Sequence, residues 1–413
     1  MGTEPFVACN ESTRSTFNRL WAAIKQESLS ILAEGVSSPI EIDTVFGELV
    51  RSSQGPCKLM DEVGLDTVAL IQEHVNEHQG LEPDRILDFL RREYLDKGKF
   101  GIKSAKGGFY PRLPRILVLD LGIVETGRIG TSGRILELSA EGELTDVLVE
   151  QQLLPDGIDV DLPSARVFWT NMGMPGKLDG TVNSANLDGT EIQTLIVPGV
   201  INTPKQLVVN SESRKLYFSD REGMRILRCN FDGSGLETLV QAGTDPADPM
   251  SWCVGIQIAR QTGKLYWVQK GPSKSRTGRI FCASTTIPGS QSAESRDDIL
   301  CLLDNLPEPV DLELDSSGST LFWTDRGEIP NGNSLNKVSL DPETGLLHTG
   351  ELGMPQVLLR GLHDPIGLRL DEANGHIYTV DLGGGLYRSN LDGSDVQTML
   401  SEIGRSFTGV TLL

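Results

Sequence analysis

The apolar positions of this chain change their period once, near residue 112. From Ser15 to about Gly47, the residues Phe17, Leu20, Ile24, Leu29, Ile31 and Leu32 recur at helical spacing until Ser38-Pro39 breaks the pattern. Val63, Val68, Leu70, Ile71 and Val75 predict a second helix. Ile86, Phe89, Leu90, Tyr94 and Leu95 predict a third, opening after Pro83-Asp84. Beyond that point apolar residues alternate in short runs, as in Leu207-Val208-Val209 and Leu312-Glu313-Leu314-Asp315, which is the period of strands with one buried face. The pattern predicts a multidomain protein: a small all-α domain over residues 1–111, then an all-β domain over residues 112–413.

The β region repeats itself. Phe168-Trp169-Thr170-Asn171, Tyr217-Phe218-Ser219-Asp220, Tyr266-Trp267-Val268-Gln269, Phe322-Trp323-Thr324-Asp325 and Tyr378-Thr379-Val380-Asp381 are five copies of one signature, 49 to 56 residues apart. A weaker copy, Leu117-Val118-Leu119-Asp120, lies 51 residues before Phe168 and leads into Arg134-Ile135-Leu136-Glu137-Leu138. Repeats of this length signal a propeller, and six copies predict six blades. Asn186-Leu187-Asp188-Gly189, Asn230-Phe231-Asp232-Gly233 and Asn390-Leu391-Asp392-Gly393 predict hairpin turns between outer strands. The last seven residues, Phe407 to Leu413, share the inner-strand pattern of Asp364 to Leu370, and no strand follows them. They are expected to supply the inner strand of the blade begun near Leu117, which closes the ring and removes free edges.

Both halves resemble known families. Asn18-Arg19-Leu20, Glu34-Gly35-Val36-Ser37-Ser38-Pro39, Ile42-Asp43, Gly55-Pro56 and Leu59-Met60-Asp61-Glu62-Val63-Gly64-Leu65-Asp66 occur in the order found in the C-terminal domain of 3-hydroxyacyl-CoA dehydrogenases. Lys97 to Tyr110 looks like that family's closing K-G-x-x-G-x-K-S/T-x-x-G-F-Y segment. The resemblance implies a helical half that shapes a substrate cleft and supports dimerisation, while nicotinamide and the catalytic His-Glu pair belong to a Rossmann domain. No strand followed by G-x-G-x-x-G stands upstream here, and Gly383-Gly384-Gly385 falls inside a blade. Asn18 matches that family's active-site Asn, but an amide alone abstracts no proton, so packing or capping is its expected role. The β signature resembles the Y-W-T-D propellers of lipoprotein receptors and, more broadly, gluconolactonase and strictosidine-synthase-like propellers. There, the Asp corresponding to Asp220, Asp325 and Asp381 ties backbone together. The fusion of the two halves is similar to fungal biosynthetic hetero-Diels-Alderases.

Charge narrows the partners. With 37 Lys plus Arg against 57 Asp plus Glu, the net charge of −20 repels phosphate backbones and anionic lipid, so neither nucleic acid nor membrane is expected. The start of the chain has no basic or apolar leader. Phe6 stands where a myristoylation signal at Gly2 would want Ser or Thr, and a cytoplasmic protein is expected. Six scattered cysteines, among them Cys9 and Cys301, read as buried reduced thiols, and the five histidines form no metal-ligand spacing. No cofactor and no metal is assigned. The basic run Lys97, Lys99, Lys103, Lys106 reads as a solvated loop before it reads as a CoA phosphate site.

In a propeller the loop entering each inner strand and the loop leaving the second strand share one face. These loops carry Asp156, Lys205, Gln206, Asp364 and Arg405 together with the candidate site residues. Arg326 and Arg221, each following a signature residue, are candidate clamps for a substrate oxygen or enolate. His363 beside Asp364 is a candidate base, and Lys270 completes the catalytic set. Trp252, Met172, Glu308 and Asn171 are candidate substrate contacts for a small amphipathic metabolite. In a gluconolactonase-type reading, Glu308, Asn171 and Asp381 take the part of metal ligands.

Three functions follow. The first is a cofactor-independent enzyme of secondary metabolism, lyase or cyclase in type, whose funnel orients substrates for dehydration, cyclisation or hetero-Diels-Alder cycloaddition. A protein-binding scaffold is the second and a metal-dependent lactonase the third. A homodimer through the helical domain is expected from the dehydrogenase resemblance alone.

Overall fold

Pro39 does not end a helix; it begins one. The computed structural model describes residues 16–51, 54–79, 85–102, 104, 106–110, 113–123 and 131–413, with backbone alone at 16, 17 and 77–79. Gly2, Phe6, Cys9, Ser15, Pro83, Asp84 and Lys103 lie outside the described residues. After α1 (Thr16–Glu34), Ser38 caps α2 (Pro39–Val50) in a reciprocal capping box with Glu41, and Pro39 takes the first turn, where its missing N–H costs nothing. The second expected helix is two, α3 (Pro56–Val63) and α4 (Leu65–Gln79), broken at Gly64, whose φ of 105° no helix accepts. α5 (Arg85–Glu93) follows. The core holds Leu29, Cys57, Met60, Leu65 and Leu90, all fully buried, while Leu20, counted on the apolar face, is exposed.

Two carboxylates lash this half together. Asp43 accepts from the Cys57 N–H (2.7 Å), the Lys58 N–H (2.9 Å) and the Tyr110 hydroxyl (2.7 Å), so α2 caps α3 from outside. Asp61 accepts from the Phe109 and Tyr110 N–H groups at 2.7 and 2.8 Å, which fastens the closing segment onto α3. Gly101, at φ 110°, lies so close to the Asp61 carbonyl that a side chain there would collide with it.

The chain divides into two compact units, Met1–Leu113 and Pro114–Leu413. The second is a six-bladed propeller of four-stranded antiparallel sheets. Blade I combines Ile116–Asp120, Gly133–Leu138 and Leu144–Gln152 with the C-terminal Phe407–Leu412 as its innermost strand, in the register Val118 to Val410 and Ile116 to Leu412. Blades II to VI run in sequence over 155–201, 204–241, 253–306, 309–360 and 365–401. Trp169, Trp267, Trp323, Tyr266, Tyr378, Phe168 and Phe218 from the signatures are fully buried between sheets. The Asp-Gly turns do two jobs. Asp188 accepts from the Thr190 N–H and hydroxyl to close its own hairpin, and Gly189 at φ 78° sits against the Leu148 carbonyl of the blade before.

Signature residues divide the remaining work. Asp220 accepts from the N–H groups of Asn202 and Thr203, in the connection from blade II to blade III. Asp325 and Asp381 hold the same connections at Glu308 and His363. Four of five described cysteines are buried with free thiols; Cys301 is exposed, against expectation, because it lies on the outermost strand of blade IV. Among the described residues no helix is long and apolar enough to cross a membrane.

Candidate active site at one mouth of the propeller channel

Each inner strand starts opposite the end of its blade's second strand, as in Pro155 with Asn171, Pro204 with Asp220 and Pro309 with Asp325. The loops before the one and after the other therefore meet at one mouth of the channel. There the Lys270 ammonium donates to Glu308 Oε1 at 3.0 Å and to the Gly271 carbonyl at 3.2 Å. Glu308, fully buried, also accepts from the Ser273 hydroxyl (3.1 Å) and the Lys274 N–H (2.9 Å). Arg326 Nε stands 3.5 Å from Glu308 Oε1 and 3.8 Å from Asp364 Oδ1 and donates no hydrogen bond. Arg221 pairs with Glu222 and lays its guanidinium 5.1 Å from the centre of the Trp252 ring, with Lys270 Nζ 5.6 Å from the same ring. The Trp252 indole N–H is anchored on the Pro246 carbonyl at 2.9 Å.

A fourth cation joins them. Lys205 Nζ donates to Asp156 Oδ1 at 2.6 Å and lies 3.0 Å from Met172 Sδ. In a chain of net charge −20, four cations thus converge, each beside a carboxylate: Asp156, Glu222, Glu308 or Asp364. Burial pushes the Lys205 and Lys270 ammonium groups below the ordinary lysine range. Asp156 and Glu308 oppose that, and the positive charges of Arg221 and Arg326 reinforce it. Behind them burial raises Asp325 to about 7. The arrangement offers donors and cations to a substrate oxygen, a carboxylate to take or return a proton, and an indole wall.

Six of the eight candidate residues stand in this network: Arg326, Arg221, Lys270, Trp252, Glu308 and, through Lys205, Met172. Two do not. Asn171 turns its amide to Gln152 Oε1 (3.0 Å) and Thr181 (3.4 Å), bracing blade II against the outer strand of blade I. His363 is three-quarters exposed and faces Asp381, its Nδ1 3.9 Å from Oδ2, while Asp364 turns to Arg326; the expected His363–Asp364 pair is not formed. Glu308, Asn171 and Asp381 each have other partners, and among the described residues no three His, Cys, Asp or Glu side chains form a metal-ligand group. Lys205 and Asp156 are the second residues of their inner strands. They occupy the same place in successive blades, 49 residues apart, and nothing in either residue announces its partner. At the other end of the channel stands a group that the repeat pattern does not mark. There Arg369 binds Asp159 (3.0 Å) and Glu313 (3.6 Å), Gln257 donates to Glu313 (3.1 Å), and the group lines a cavity of about 190 Å³.

Comparison with known proteins agrees with both halves. Residues 16–111 match the 3-hydroxyacyl-CoA dehydrogenase, C-terminal domain, family. The whole chain is 44% identical to the 3-hydroxyacyl-CoA dehydrogenase-like protein LAM1 of Cochliobolus heterostrophus, over 90% of that protein's length. It is 41% identical, over 72% of its own length and 98% of the relative's, to a protein of Pyricularia oryzae named low-density lipoprotein receptor-related protein 1. Among solved structures, a chain of the nidogen/laminin complex superposes with a TM-score of 0.53 at 19% identity, over 72% of this chain and 98% of that one, which is a likeness of fold.

Proposed function

Because the chain belongs to the family of the 3-hydroxyacyl-CoA dehydrogenase-like protein LAM1, we propose that it is a propeller enzyme of fungal small-molecule biosynthesis whose chemistry occurs at the channel mouth described above. The observation that carries this is the gathering of Lys270, Arg326 and Arg221 around Glu308 and Trp252. A substrate oxygen held by Arg326 and Lys270 is polarised by cations that are already in place, so the transition state needs little reorganisation around it. Glu308, itself fully buried, holds Lys270 and Arg326 in place, and Trp252 holds the flat or apolar part of the molecule. Such a site suits a cofactor-independent lyase or cyclase: loss of water, ring closure, or a hetero-Diels-Alder cycloaddition in which orienting two partners supplies most of the rate. The helical half serves as scaffold and, in this proposal, joins two copies in the cytoplasm; its exposed Leu20, Leu70 and Ile71 support that part.

The test is thermal shift on the full chain with oxygenated aromatic and terpenoid compounds, NAD, acetyl-CoA, calcium and EDTA added separately. A midpoint raised by an oxygenated aromatic or terpenoid compound in the wild type, and not in Arg326→Ala or Lys270→Ala, is the expected result. A response to NAD alone, or to calcium and EDTA alone, would sink the proposal.

A further inference from the structure

Of the two largely buried lysines of the mouth, Lys205 and Lys270, Lys205 has the fewer oxygen partners. It is the second residue of the inner strand Pro204–Asn210, and the Thr170 hydroxyl fixes its backbone by donating to the Lys205 carbonyl at 2.7 Å. Its Nζ has one oxygen acceptor, Asp156 at 2.6 Å; its other neighbour is the Met172 thioether, a weak acceptor. Lys270, by contrast, is held by two oxygens. Asp156 is itself buried and steadied by the Gln206 amide at 3.4 Å. The charged groups acting on Lys205 are Asp156 from the neighbouring inner strand and the two guanidinium groups of Arg221 and Arg326. An exposed lysine, with a pKa of about 10.4, is a free amine in only about one molecule in a thousand near neutrality. Burial and the two neighbouring cations raise that fraction, the usual device for making a lysine nucleophilic.

We propose that Lys205 captures carbonyl compounds: an aldehyde or ketone admitted at the channel mouth condenses with its amine to a protonated imine, with Asp156 carrying the protons. This rests on the reading that the mouth admits a small organic molecule. The ammonium first gives a proton to Asp156. The nitrogen lone pair then attacks the carbonyl carbon, and the C=O π pair moves to oxygen, which takes the proton back from Asp156. The nitrogen of this adduct gives a second proton to Asp156, leaving a neutral carbinolamine. Asp156 passes that proton to the hydroxyl, the C–O bond breaks, water leaves, and the nitrogen lone pair forms C=N. Ammonium plus carbonyl compound thus becomes iminium plus water, and Asp156 ends as the carboxylate it began. The iminium is an electron sink that acidifies the neighbouring C–H, a route to an enamine without any added cofactor.

The experiment incubates the full-length protein with benzaldehyde or acetaldehyde and cyanoborohydride near neutral pH and maps the reduced adduct by peptide mass spectrometry. Lys205 is expected to be labelled at least about tenfold faster than the exposed Lys106 and Lys177. Lys205→Arg, which keeps a cation for Asp156, is expected to lose the label, and Asp156→Asn to slow it. Equal labelling of exposed lysines with Lys205 untouched in the wild type overturns the imine, whatever the variants do to folding. If a compound still raises the melting midpoint in that sample, the mouth remains a binding site; if none does, both readings fall together.

Discussion

At the scale of single residues, the helical half keeps its dehydrogenase-like motifs for reasons of hydrogen bonding. Asp61 is buried, a position that raises its pKa, and it stays there because two backbone N–H groups of the closing segment end on it. Asp61→Ala leaves both donors unmet in a dry environment, at a cost of about 2–4 kcal/mol. Urea denaturation followed by helical circular dichroism should show the loss, and Asp61→Asn, which keeps an acceptor, should lose less. An unchanged midpoint in Asp61→Ala would mean that the closing segment is held by its apolar contacts alone. The sequence named Asp61 and Gly101 as members of a motif; what it withheld was that one binds the other's segment, because the 39 residues between them in the chain say nothing of their contact. The same holds at the mouth. Arg221, Lys270 and Arg326 were legible as loop cations of a repeat, whereas the His363–Asp364 pair is not formed, since adjacent residues in a tight turn, here Asp364 at φ 55°, point apart, and Asn171, at a strand end, turns to Gln152.

At the scale of the blade, the third residue of the signature decides how inner strands are held. In blades II, III and V it is Thr170, Ser219 or Thr324, whose hydroxyl donates to a carbonyl in the next blade's inner strand: Lys205, Val254 or Ile366. In blades I, IV and VI it is Leu119, Val268 or Val380, which packs on a glycine of its own inner strand, Gly409, Gly255 or Gly367. A hydroxyl latch and an apolar contact over glycine are alternative solutions to one problem. Thr324→Val therefore fails where Val268 succeeds: blade V offers Asp311, not glycine, and the Ile366 carbonyl is left without its donor. The expected loss is about 1–3 kcal/mol in chemical denaturation; a neutral outcome would show that water replaces the hydroxyl. The repeat spacing made the blades legible, and the C-terminal closure with them, because Phe407 to Leu413 had only one unpaired inner position to fill. Deleting those residues exposes Ile116 to Asp120 as an open edge and should give a protein that associates, as sedimentation velocity would show.

At the scale of the whole molecule, a partly buried charge network at the far end of the channel sets a pH dependence. Burial raises Glu313 to about 7, although Arg369 works against it. The folded protein therefore holds that proton more tightly than the unfolded chain. This contribution to stability is complete below the ordinary carboxylate range and disappears as pH rises through about 7. Glu313→Gln, which carries no such proton, should gain in urea midpoint relative to the wild type between about pH 5.5 and about pH 8; a constant difference would place the titration elsewhere. The two compact units also bear on where the chemistry lies. The Pyricularia relative is matched over 98% of its length by 72% of this chain, close to the share that Pro114–Leu413 occupies. Every cation, carboxylate and aromatic ring of the proposed site, and both strands of the closure, fall inside that unit. Residues 114–413 produced alone should thus melt in one cooperative transition and still label at Lys205, at a rate within about twofold of the full chain. Retained folding with lost labelling would overturn the assignment of the whole proposed site to residues 114–413.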